Sequence, residues 1–406
     1  MVLTTPPPDP AYLDIFKGYV VASTQRILQR VQQAGPLLPA DDEQQALHTL
    51  SYALKLAEAW ADTRRLLLTM APKMEQAGRR DEWIPYLEQG LQQSRQLADI
   101  ETEAELHLQL GVLYQLRSKY AEARTQLEAS VAGFARAEAR PGQAQALHQL
   151  AYVARRQRRF PEAVRLVEAA QQLLPADDPE RAFGDYVLSL VALDQWEWPT
   201  AIELSSRAFA LWESAENWRM MGRSLLCRGL ALQELQRYPD AINIDELAIS
   251  LFEKSGDAFL KAIARMNLGI VYMHLGQFEQ ALTLYRPAEK VFRQVQDRFH
   301  WGLVTHNMGF SYRRLGQWAE AKAAYQQSMA LKEGLGQTIL VADSMDGLGQ
   351  VYLAEGNPAA AQQTFADALA RLVPLERDAF YDSLHRMLTA HLQDATDRLA
   401  RQQESA

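Results

Sequence analysis

Cysteine is nearly missing from this chain: Cys227 is the only one in 406 residues. One thiol can neither close an intrachain disulfide nor build a thiolate metal cluster, so the fold is expected to rest on its own core in a reducing, cytoplasmic setting. Long apolar runs are missing too. No segment approaches 18 uninterrupted apolar residues, and no membrane partner is expected. The Pro-rich stretch Met1 to Pro10, without a positive start or an apolar core, reads as a disordered N-terminus that resembles neither a signal peptide nor an anchor. Val, Ile and Thr do not alternate at period two, which removes the usual sign of half-buried strands. Positive charge is in deficit, with 42 Lys and Arg against 50 Asp and Glu. A phosphate-backbone binder takes most of its affinity from a basic stripe, so nucleic acid is not an expected partner.

Catalytic signatures are also absent. There is no Gly-rich phosphate loop, no His-Glu-x-x-His helix and no Gly-x-Ser-x-Gly elbow. The closest histidine pairs, His300 with His306 and His385 with His391, are six apart, whereas ligands on one helix face need a spacing of three or four. No metal, cofactor or enzymatic activity is therefore expected. Cys227 follows Leu225 and Leu226, the setting of a small core or groove thiol rather than a nucleophile.

What the chain does have is Ala, Leu, Gln, Glu and Arg, which lose little side-chain freedom in a helix, and a repeat. Leu268-Gly269-Ile270-Val271-Tyr272 returns forty residues later as Met308-Gly309-Phe310-Ser311-Tyr312 and again as Leu348-Gly349-Gln350-Val351-Tyr352. Each is followed by Phe278, Trp318 or Pro358, then by Ala281, Ala321 or Ala361, then by Tyr285, Tyr325 or Phe365. Ala241, Ala201, Ala163 and Ala123 extend the frame backwards at steps of 40, 40, 38 and 40. Glycine where two helices cross and an aromatic beside it predict paired, close-packed helices. Gly276, Gly316 and Gly356 mark left-handed stops inside the pairs, and Gly256-Asp257 couples a stop to an N-cap between them.

Leu-Gly, Tyr, Ala, aromatic and Ala at fixed offsets resemble the tetratricopeptide repeat (TPR) family. The period exceeds the usual ~34 residues, a longer form similar to the TPR arrays of maltose-regulator-like sensors and Rap-type pheromone-responsive proteins. The resemblance implies an all-α, right-handed superhelical solenoid of antiparallel helix pairs. Residues 102–381 are read as seven units, 11–101 as a degenerate TPR-like helical cap and 382–406 as a capping helix and tail. Terminal helices cover the apolar face that the last unit would expose.

The resemblance further implies that the first helix of each pair lines a concave groove that takes a protein or peptide. Two residues before the Gly, many peptide-binding TPR proteins carry an Asn whose amide bonds the ligand backbone; here Asn267 and Asn307 stand there, against Gln109, Gln149, Val187, Cys227 and Gly347 in other units. Further groove candidates are Met266, Ile270 and Phe310 as an apolar floor, His306, Arg313 and Arg314 as a basic group, and Asp343, Asp346 and Gln350 in the next unit. Arg155 and Arg156 form a second basic pair able to grip a carboxylate. The function expected is a binding scaffold or sensor of bacterial type, with a receptor for a small signalling peptide that regulates a response regulator or enzyme as the alternative.

Overall fold

The computed structural model describes residues 10–35, 38–373, 375 and 379–404. Apart from Pro10, the stretch expected to be disordered lies outside them. The chain divides into two compact units, at Asn217 and Trp218, and every regular element described is helical.

The first unit holds α1 (Pro10–Gln33), α2 (Ala40–Ala53), α3 (Trp60–Gln76), α4 (Arg80–Gln96), α5 (Ile100–Leu116), α6 (Tyr120–Arg136), α7 (Arg140–Arg156), α8 (Phe160–Leu173), α9 (Arg181–Asp194) and α10 (Trp198–Ser214). Its early helices close around Leu66, Leu67, Met70, Met74 and a fully buried Trp83. From α5 on, helices pair as hairpins: α5 with α6, α7 with α8, α9 with α10.

The second unit continues with α11 (Trp218–Glu234), α12 (Tyr238–Lys254), α13 (Ala258–His274), α14 (Phe278–Gln294), α15 (Arg298–Arg314), α16 (Trp318–Glu333), α17 (Thr338–Ala354), α18 (Pro358–Leu372) and α19 (Ala379–Glu404). Four hairpins stack, and α19 closes the end by burying Tyr381, Leu384 and Leu388 against Phe365 and Leu372 of α18. The chain is thus an all-α solenoid of helix pairs.

Local chemistry sets the hairpin ends. At the α13–α14 turn Gly276 takes φ +75°, and the Gln277 N–H reaches back 2.9 Å to the Tyr272 carbonyl, the bond that closes a Schellman stop. Tyr312 and Tyr352 accept the same bond from Gln317 and Asn357 at 2.9 Å. Between hairpins Asp257 and Asp297 cap the next helix by accepting from Leu260 and His300 N–H groups, each at 2.9 Å. Within a pair, the ring of the second helix occupies the space a side chain on the glycine would need: Tyr285 lies against Gly269 and Phe365 against Gly349, both rings fully buried.

Candidate binding face

In the second unit the first helices also touch one another, α11 with α13, α13 with α15, α15 with α17 and α17 with α19, while the second helices meet chiefly through them. The first helices therefore form the tighter inner layer, and residues pointing away from their partners line one face. Asn267, Asn307, Ile270, Phe310, Asp343 and Gln350 all lie in this layer.

The two asparagines differ in depth. Asn267 is 6% exposed and its neighbour Met266 is equally deep, whereas Asn307, Ile270 and Phe310 are half-buried. Neither amide has a hydrogen-bond partner among the described residues. An amide in a helix interior usually bonds a neighbour or solvent, so two unengaged amides forty residues apart are donors and acceptors left open. Next to them Phe310 carries the Arg313 and Arg314 guanidinium groups at 5.1 and 5.9 Å from its ring centre, and Arg314 also lies 4.9 Å over Phe278. Such stacking holds the cations beside apolar surface without neutralising them.

The remaining candidates form a buried polar cluster. His306 Nε2 faces Asp343 at 3.4 Å and its Nδ1 faces the Ser344 hydroxyl at 3.0 Å. Lys332, 2% exposed, donates to Ser344 Oγ at 3.0 Å and to the Leu340 carbonyl at 3.3 Å. Burial holds His306 down at about 4, against the pull of Asp343, so its ring is neutral at pH 7. Burial likewise lowers Lys332 to about 8, again opposed by Asp343. Asp346 is 3% exposed and receives His391 of α19 at 2.7 Å and Gln350 at 2.5 Å. Burial raises its carboxyl despite these two partners. Ser344 has the neighbours of an activated nucleophile but is fully buried among His306, Ser328, Lys332 and a carbonyl.

The candidate residues thus fall into two groups. Asn267, Asn307, Ile270, Phe310, Arg313 and Arg314 form one set along α13 and α15, while Met266, expected on the groove floor, packs with Ala281 and Tyr285 in the core of its own pair. His306, Asp343, Asp346 and Gln350 mainly meet one another and join α15, α16, α17 and α19. Arg155 and Arg156 are already engaged. Arg155 grips Asp194 with both nitrogens at 2.5 and 2.8 Å, and Arg156 donates to the Tyr120 hydroxyl at 2.9 Å. A separate concavity of about 480 Å³ lies in the first unit, lined by Arg95, Glu103, His107, Gln126 and Arg136. Sequence reasoning missed Lys332 and His391. Lys332 could have been found by its register, since Phe252, Phe292 and Leu372 hold the same position in the neighbouring pairs.

A family model described as tetratricopeptide repeat matches residues 102–176, 220–294 and 302–372. A search of curated protein sequences finds no match. Among solved structures, a signal transduction ATPase with numerous domains (STAND) protein with a tetratricopeptide repeat sensor from Pyrococcus horikoshii superposes with TM-score 0.64 and 11% identity, over 99% of this chain and 65% of that one. The apo quorum sensor NprR from B. thuringiensis gives 0.54 and 14%, over 71% of this chain and 81% of that one. Aspartyl phosphate phosphatase F from Bacillus subtilis gives 0.53 and 14%, over 91% of this chain and 96% of that one. At these identities the likeness speaks for the fold, and the repeat itself, matched over more than half of the residues, places the chain in the tetratricopeptide repeat family.

Proposed function

We propose that this chain is a non-enzymatic binding protein, a scaffold or sensor whose inner face in the second unit holds an extended protein or peptide segment. The observation that carries the reading is the pair of unengaged amides, Asn267 and Asn307, on consecutive first helices beside the stacked Phe310, Arg313 and Arg314. An amide offers one donor group and one acceptor, the complement of a peptide unit. Spaced along a layer of parallel helices, two of them hold a strand-like ligand by its backbone, while the arginines select acidic side chains or a terminal carboxylate.

A receptor for a short signalling peptide is the second reading, favoured by the likeness in fold to the quorum sensor NprR. The two differ in what suffices for binding: a receptor saturates with a short peptide alone, a scaffold needs the folded partner.

The test is affinity capture from the host lysate with wild type and with the Asn267→Ala, Asn307→Ala double variant, their helicity matched by circular dichroism. Loss of at least tenfold in the captured partner, about 1.4 kcal/mol, is expected in the double variant. Equal capture by both proteins would place binding elsewhere.

A further inference from the structure

The second helices of the second unit share one position that normally carries a ring. Tyr285 in α14, Tyr325 in α16 and Phe365 in α18 stand there, each packed against the glycine of its own first helix. In α12 the position is Asp245, packed in the same way against Gly229. Asp245 is 1% exposed, and neither of its carboxyl oxygens has a hydrogen-bond partner among the described residues. Burial alone pushes its carboxyl up to about 8, with no charged group of the chain contributing. A buried acid without a donor costs stability, and a ring at this position would avoid that cost.

Tyr325 shows how far a ring reaches from this position, because its Cζ and hydroxyl crowd Gly347 on the next first helix. By the same register the residue opposite Asp245 is Asn267, whose amide is also unengaged. A carboxylate is shorter than a phenol by most of a ring. By this register the exchange removes most of a ring from the space between α12 and α13, on the side where Asn267 stands with its amide unengaged.

We propose that this gap binds a primary ammonium group, with Asp245 as counter-ion and the Asn267 amide oxygen as a second acceptor. The inference rests on the inner face of the second unit being the binding face, and it specifies the chemistry recognised at one end of it. An ammonium ion brings three donors to acceptors that lack them and turns a costly buried acid into a paired one. Because Asp245 is protonated in the free chain at pH 7, binding releases a proton.

The experiment titrates the full chain at pH 7 with n-butylamine, with trialanine and with N-acetyltrialanine, and follows the carboxyl carbon resonance of Asp245, assigned through Asp245→Asn. Expected is movement of that resonance to its ionised position with an amine, with proton release seen by calorimetry in two buffers. Affinity should fall at least tenfold in Asp245→Asn and in Asp245→Tyr, which puts back the ring of the neighbouring pairs, with helicity matched to wild type by circular dichroism. A response to trialanine but not to its acetyl form assigns the gap to a chain terminus; a response to n-butylamine alone assigns it to a lysine side chain. If no amine moves the resonance, or Asp245→Asn binds as tightly as wild type, the proposal fails. The binding face is judged apart from it, by partner capture with Asn307→Ala alone.

Discussion

His306 shows how a single residue can look like one thing in sequence and be another in the fold. Beside Arg313 and Arg314 it reads as part of a basic group, yet burial leaves it neutral, and its ring nitrogens face Asp343 and Ser344. Its folded value of about 4 lies below the ordinary 6.5. Between these values the unfolded chain binds a proton that the folded chain does not, so stability is full above about pH 6.5 and falls with pH down to about 4, by about 1.4 kcal/mol per unit. Urea titrations across this window should show that slope in wild type and lose it in His306→Gln. Burial is the main cause of the lowering; Lys332→Met, which removes one of the two cations that add to it, should move the lower end of the window upward. The cluster was only half legible beforehand: Lys332 breaks an apolar register visible in the sequence, but Ser344 meets Lys332 and His306 at separations of 12 and 38 residues, across three helices.

At the scale of the element, helix ends were the most readable feature, because a stop needs a residue that tolerates positive φ and a cap needs a short acceptor. Gly256, Gly276, Gly316 and Gly356 all take φ between 70° and 75°. The same turn is made without glycine at Ala98, Ser118, Glu138, Arg158, Trp196, Glu216, Gln236 and Gln296, with φ from 51° to 64°. These were not legible, since the left-handed conformation is imposed there by the hairpin rather than chosen by the residue; the cost is roughly 1 kcal/mol at each. Gly276→Ala should therefore lower stability by about 1 kcal/mol, and Gln296→Gly should recover part of the same amount, read as shifts of the thermal midpoint. The opposite sign at the two turns is the check.

On the scale of the whole molecule, a solenoid has no single core: each pair packs on the next, and stability is a sum of local and neighbour terms. Phe365, fully buried between α17, α18 and α19, is part of the terminal cluster alone. Phe365→Ala should cost about 3–5 kcal/mol locally and raise hydrogen exchange across 338–404 while leaving residues 100–214 unchanged. Uniform loss of protection along the chain would show one cooperative core instead. The sequence by itself determined the period, the helix pairs and the turns, because those follow from spacing and from the steric needs of Gly, Ala and aromatic residues within one repeat. Only the tertiary structure decided which polar groups meet. That Arg155 is taken by Asp194, that His391 reaches Asp346 and that Asp245 finds no hydrogen-bond partner among the described residues depends on how neighbouring pairs are offset against one another, and side chains some forty residues apart carry no local signal of their partner.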